Sequence, residues 1–217
     1  MKTGIRKILY IAEFILLFFG IPLLLFFDSS IIHPSSVLLP ILFALIIYFR
    51  KQKDFRLHDL IKLNVSKTMW IKQGILVLAI GIFLILLVLI LEPENLFNLP
   101  RGNWQIWIAL FFFYPIFSAY AQEVVFRMFL FMRYKPLFNK TWLMILASAL
   151  SFSFAHIVYF SVLSLVLTFL AGIYLALVYH QTRSVLFVSI LHGALGFFIF
   201  TVGLGQHFWL DMMQWIQ

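Results

Sequence analysis

The 217-residue sequence contains no cysteine. That absence removes disulfides, thiolate metal sites and cysteine nucleophiles together. Charge is scarce as well: 11% of residues are charged, against 64% hydrophobic and 19% aromatic, and the mean hydropathy is +1.04. Soluble domains carry about 25% charged residues, so a water-soluble fold of this size would have too little polar surface to cover itself. The chain reads as an integral membrane protein. Acidic residues are the scarcer sign, 8 against 16 Lys and Arg, leaving a net charge of +8. Such an excess raises nucleic acid as a partner, but in a membrane protein it usually reports orientation, so its placement decides.

A crossing helix needs roughly 20 apolar residues, and charge, proline and glycine cut the sequence into seven such stretches. They run over 8–27, 31–49, 71–91, 104–132, 142–160, 161–179 and 185–204. The fourth is overlong and contains Pro115, which predicts a kink or a tilted helix. The fifth and sixth nearly abut, predicting a tight hairpin. The fold expected is an all-α polytopic bundle forming a single domain over 1–217, with no internal repeat. Short loops rich in Lys and Arg stay in the cytoplasm. Under a seven-span reading, fourteen of the 16 basic residues fall on one side, while Asp28, Glu92, Glu94 and Asp211 fall on the other. The N-terminus is therefore expected inside and the C-terminus outside, and nucleic-acid binding loses its support. Trp70, Trp104, Trp142 and Trp209 sit near the span ends, as interfacial aromatics do. The first stretch starts like a secretory signal, but it contains Glu13 and lacks a small-x-small cleavage site, so it is expected to be a retained anchor. The basic 50–73 loop, with Phe55, Leu57, Leu60, Ile61 and Leu63, suits either a helix lying on an anionic leaflet or a plain solvated loop.

Beyond the first few residues of each span, the charged and histidine side chains that remain are Glu13, Glu123, Arg127, His156 and His192. Charged groups at membrane depth are costly and mark function by default. Glu13 lies in the first two turns of its span and can reach the inner interface, so a structural role is expected. Glu123 and Arg127 are four apart on one helix and can pair. Each histidine, taken singly, also reads as a buried neutral ring. Counting from the inner ends of their spans at 1.5 Å per residue puts Glu123, His156 and His192 at heights of roughly 14, 21 and 10 Å. A carboxylate and two imidazoles from three helices thus share the middle band. Small residues on the histidine faces, Ser148 and Ser153 beside His156 and Ser189, Gly193 and Gly196 beside His192, permit close helix approach.

Three short motifs in these spans resemble the CPBP intramembrane proteases, a family that includes the type II CAAX prenyl endopeptidases and bacteriocin-processing proteins. The Glu-Glu-x-x-x-Arg pattern is approached by Gln122 to Arg127, the Phe-x-x-x-His pattern is met by Phe152 to His156, and the His-x-x-x-Asn pattern is half met by His192 and Gly196. Order and spacing agree across 104–205, the expected catalytic core. The resemblance implies an intramembrane endopeptidase of a bacterial plasma membrane. A glutamate and the first histidine activate water, and the second histidine with its asparagine stabilises the oxyanion. Carried onto this chain, Glu123 and His156 activate water, His192 stabilises the oxyanion, and Arg127 orients Glu123. Two positions depart: Gln122 stands where the pattern has its first glutamate, and Gly196 offers no side-chain donor. Gln122 is then a candidate oxyanion donor.

Alternatives follow from the same residues. A zinc version would use Glu123, His156 and His192 as ligands with water as the fourth. Gln122 also suits a catalytically inactive relative that holds a membrane peptide or partner protein as a scaffold. A small transporter would need inverted repeats, and no matching halves are present. There is no His-Glu-x-x-His, Gly-x-Gly-Asp or Gly-x-Ser-Gly sequence, so zinc site-2, aspartyl and rhomboid chemistries are excluded. Neither a resident cofactor nor an oligomeric state is implied.

Overall fold

A computed structural model of the chain describes residues 2–27, 34–53 and 55–209. Asp28, Asp211 and the expected start of the second span at 31 lie outside the described residues. Among those described there is no strand, and six helices are long and apolar enough to cross a membrane: α1 (Gly4–Phe27), α3 (Lys67–Leu91), α4 (Trp104–Arg133), α5 (Thr141–Tyr159), α6 (Val162–Thr182) and α7 (Val185–Val202). Between the first two lies α2, Pro34–Arg50, an apolar helix of 17 residues at the lower limit for crossing. The protein is thus a polytopic helical bundle. Large apolar side chains such as Ile90, Val162 and Phe27 point outward, as a bilayer-facing surface requires.

Polar side chains set several helix starts. Ser66 Oγ accepts from the Met69 N–H at 3.3 Å, which begins α3 at Lys67 instead of 71. Lys67 and Lys72 then occupy its first turns, where long stems keep their ammonium heads in water. Ser161 and Ser184 cap α6 and α7 in the same way. At the far end of α7, Gly203 closes the helix with φ of 114°, a left-handed cap that glycine adopts freely. A Cβ there would also overlap the Asn95 carbonyl oxygen.

The tight hairpin expected between the fifth and sixth spans is present. The α-helical part of α5 stops at Ala155, a 3-10 turn covers His156–Tyr159, and α6 returns against α5. A Cβ on Gly172 would lie 2.9 Å from Ala149 Cα, and Ser153 Oγ donates to the Leu165 carbonyl at 2.8 Å. Small residues and a side-chain hydrogen bond thus hold two apolar helices that gain nothing by hiding from lipid. The most enclosed of the six long helices is α7, with 67% of its most apolar stretch buried against 11% for α1.

The span containing Pro115 is irregular, as its proline predicts. The missing N–H of Pro115 falls in a π-helical turn, Tyr114–Ala119, and a second one, Val124–Phe129, follows after one α turn, Tyr120–Glu123. Wide turns of this kind absorb a lost backbone bond and often occur at functional sites. Glu123 closes the α turn between them.

The 50–73 loop forms one short 3-10 turn, Leu57–Leu60, not an extended surface helix. It is tied to the bundle by the Leu60 carbonyl, which accepts from Tyr120 Oη at 3.0 Å, and the Lys62 carbonyl, which accepts from Ser184 Oγ at 2.6 Å. Glu13 carries the structural role expected of it. It bonds Arg133 at 2.6 and 2.8 Å and Tyr134 Oη at 3.0 Å, joining α1 to the end of α4. At the opposite end, Glu92 pairs with His207 Nε2 at 2.8 Å, and the same ring meets Ser161 Oγ at 2.9 Å.

Candidate active site

Glu123 is fully buried; one of its oxygens is hydrogen-bonded and the other has a charged neighbour. Arg127 Nε lies 3.1 Å from Oε2, and His192 Nδ1 lies 2.8 Å from Oε1. The i, i+4 pair expected on α4 is therefore formed. The contact with α7 had no counterpart in the sequence reading, which placed the two groups only at a similar depth. The Arg127 guanidinium lies 4.7 Å from the centre of the Phe152 ring. None of its three nitrogens has a hydrogen-bond partner in the protein, so only the ion pair with the carboxylate and the ring face compensate its charge.

These contacts set the histidine tautomers. Beside a guanidinium, the Glu123 carboxylate accepts and does not donate, so His192 gives it the Nδ1 proton. In the neutral ring this leaves a lone pair on Nε2, which lies 3.1 Å from Tyr114 Oη. His156 is oriented in a parallel way. Its Nδ1 lies 2.7 Å from the Phe152 carbonyl oxygen, an acceptor only, so its Nε2 also carries a lone pair. The Phe152 ring stands between them, 4.8 Å from the His156 ring and 5.3 Å from the His192 ring, nearly perpendicular to the latter. This is why the phenylalanine matters at that position: it separates the two imidazoles, supplies the carbonyl that orients one of them, and covers the guanidinium.

A cavity of about 230 Å³ is lined by Tyr114, Ser118, Gln122, His156, His192 and Gly196 among mainly apolar neighbours. A second, of about 340 Å³, lies between α1, α2 and α4 and shares Ser118, Gln122, His156 and Tyr159 with the first. Gln122 and His156 thus stand where the two spaces adjoin. Gln122 Nε2 donates to Ser118 Oγ at 2.8 Å, while Oε1 is buried without a partner. Glu123 and Arg127 line neither space and stand behind the wall. Phe208, carried by the 3-10 turn Gly205–Phe208, lines the first cavity with its ring 6.2 Å from that of His156.

The five expected residues therefore gather around one cavity in two layers: Gln122, His156 and His192 on its wall, Glu123 and Arg127 behind. As the side chains stand they do not fit the zinc alternative, because Glu123 faces Arg127 and His192 and lines neither cavity. Among the described residues no group of three His, Cys, Asp or Glu side chains is disposed to hold a metal. Tyr114, Ser118 and Tyr159 also face the cavity and escaped the sequence reading. Tyrosine is at home in apolar spans, and only the Tyr-Pro step within an overlong one marks Tyr114.

Residues 103–198 match the family model described as type II CAAX prenyl endopeptidase Rce1-like. The matched stretch contains all three motifs and bears out the resemblance read from them. No curated protein and no solved structure matches the chain.

Proposed function

From an Rce1-like segment whose polar side chains converge on one intramembrane cavity, we propose that the protein is an endopeptidase. It would hydrolyse a peptide bond in a membrane-associated substrate, with a bacterial plasma (inner) membrane as its location. The observation that carries this reading is the cavity wall itself, where His156, whose Nδ1 alone is tied to the backbone, and Gln122, whose Oε1 has no partner, both line the same two spaces. Two acceptors with no protein donor suit a water molecule that each relieves of a proton or a hydrogen bond.

In the mechanism this supports, His156 Nε2 takes a proton from that water while the Gln122 carbonyl holds its other hydrogen. The water oxygen bonds to the scissile carbonyl carbon, and the carbonyl π pair moves onto oxygen. Collapse restores the carbonyl, breaks the C–N bond, and returns the proton from His156 to the leaving amine. A glutamine cannot take the proton itself, so this arrangement gives Gln122 a positioning task that needs no charge. Glu123 is held too far into the protein to meet water directly. Its support lies in fixing His192 through Nδ1, with Arg127 keeping the carboxylate in place. That differs from the expectation that Glu123 itself activates water. It also leaves neutral His192 without a proton on the nitrogen facing the cavity, so the ring alone is a poor oxyanion donor. No step requires a metal.

The test is cleavage of a farnesylated peptide ending in the cysteine-aliphatic-aliphatic-X pattern of the matched family's name, by purified protein in liposomes. His156→Ala is expected to lower kcat about 10²- to 10⁴-fold, and Glu123→Ala to abolish detectable turnover by freeing His192. One observation favours a second reading. Gln122 replaces the family pattern's first glutamate, as in a scaffold that binds without cutting. Peptide binding without cleavage in wild type, together with cleavage by Gln122→Glu, would establish that alternative.

A further inference from the structure

We propose that Tyr114 supplies the oxyanion-stabilising hydrogen bond of this site, a role that rests on the peptidase reading above. Tyr114 Oη lies 3.1 Å from His192 Nε2, and its side chain lines the cavity shared by Gln122, His156 and His192. Since His192 gives its Nδ1 proton to Glu123, Nε2 of the neutral ring can only accept, and the tyrosine is the donor. The hydroxyl proton is thus held at the edge of the reaction space by a neutral acceptor, beside the group that Glu123 and Arg127 anchor.

Gly196 makes room for this hydroxyl. A Cβ built at Gly196 would overlap the Tyr114 ring and its oxygen, so any other residue there would displace the tyrosine. Gly193, one turn earlier, is in the same contact: a Cβ there would lie 2.8 Å from Pro115 Cβ. Two glycines on one face of α7 therefore admit the Tyr114-Pro115 step of α4, and the π turn beginning at Tyr114 presents it. The ring is held edge-on by Phe200 and His192, with centroids at 5.7 and 6.0 Å. Of the other hydroxyls around the cavity, Thr168 is committed to the Ser164 carbonyl at 2.7 Å and Tyr174 to Gln73 Oε1 at 2.8 Å, while Ser118 accepts from Gln122 and Tyr159 packs against His156.

The energetics favour a switch of partner. A hydrogen bond to a charged oxygen is roughly twice as strong as one between neutral groups. As negative charge develops on the carbonyl oxygen, the Tyr114 O–H turns from His192 Nε2 to that oxygen and keeps its proton throughout. The bond is then made in the transition state and not with the resting peptide, which raises kcat without tightening KM.

The experiment uses the farnesylated peptide above and a phosphinate version of it, whose tetrahedral anionic group imitates the intermediate. Tyr114→Phe removes one hydroxyl and keeps the ring packing. It is expected to lower kcat about 10²- to 10³-fold with KM nearly unchanged, and to abolish the wild-type preference for phosphinate over parent peptide. In a Tyr114→Ala background, Gly196→Asn fills the vacated space with an amide and should recover at least tenfold of the lost rate. A Tyr114→Phe kcat within threefold of wild type, in protein whose His156→Ala variant is dead, overturns the tyrosine role and leaves the peptidase reading standing. Wild type that cuts nothing overturns the peptidase reading. The phosphinate comparison then decides the tyrosine role alone: a preference that Tyr114→Phe abolishes supports it, and equal or absent binding of the two peptides overturns it.

Discussion

At the scale of single residues, Arg127 poses the sharpest energetic question. Its guanidinium is fully buried, pairs with one carboxylate, and leaves all three nitrogens without a hydrogen-bond partner. Removing one member of a buried ion pair leaves the other uncompensated and typically costs about 3–5 kcal/mol, whereas removing both together can be nearly neutral. Arg127→Met is therefore expected to destabilise the protein by that amount in thermal or denaturant unfolding in detergent. The double variant Glu123→Gln with Arg127→Met should recover most of it, because the amide oxygen introduced at position 123 would still accept from His192. If the double variant lost the sum of the two single losses, the pair would not be coupled. Glu123 and Arg127 were legible in the sequence because four-residue spacing on a helix needs no tertiary knowledge. The bond from Glu123 to His192 was not, since equal depth on two helices says nothing about rotation. Tyr114 was harder still, because a tyrosine in an apolar span carries no energetic anomaly that would single it out.

At the scale of elements, the helices were legible and their ends were less so. Hydropathy placed α3 to begin at 71, but Ser66 caps it at Lys67 because lysine stems tolerate the interface. The proline in α4 announced an irregularity without revealing its form, and the two π turns that resulted decide which side chains face the cavity. Small residues in spans were likewise ambiguous until their neighbours were known. A Cβ on Gly172 would lie 2.9 Å from Ala149 Cα, while one on Gly74 would meet nothing within 4 Å. Gly172→Ala must push α5 and α6 apart and is expected to cost about 1–3 kcal/mol. Gly74→Ala gains helix propensity in open space and should be neutral or stabilising by up to about 1 kcal/mol. Thermal unfolding of the two variants side by side checks this. A loss at Gly74 as large as that at Gly172 would mean that glycine flexibility, not close approach, is what α6 requires.

At the scale of the whole molecule, side-chain contacts sort the loops into two ends without reference to charge. Lys62 meets Ser184 at one end, and Glu92, Ser161 and His207 meet at the other. The basic residues Lys51, Lys53, Arg56 and Arg183 belong to the first end, and Glu92 and Glu94 to the second, which is the partition that charge bias requires of an inner and an outer face. The shortest element is α2, whose 17 described residues span only about 25 Å, but contacts fix its course. Glu13 near the start of α1 and Tyr48 near the end of α2 both meet Arg133, while Phe26 at the far end of α1 stacks on Phe160. The N-terminal residues and the 51–53 turn therefore lie at the same end, and α2 is expected to cross. The absence of cysteine makes this measurable, since one introduced thiol is the sole reporter in the chain. Lys7→Cys, Lys53→Cys and Glu94→Cys, each at an exposed position, can be treated in intact cells with a membrane-impermeant maleimide. Only Glu94→Cys is expected to react until the cells are permeabilised. Labelling of Lys7→Cys in intact cells, with Lys53→Cys still protected, would show that α2 turns back and that six helices cross. The cavity between α1, α2 and α4 would then adjoin a re-entrant helix, and a substrate reaching Gln122 and His156 past α2 would approach from one face of the membrane instead of from within the bilayer.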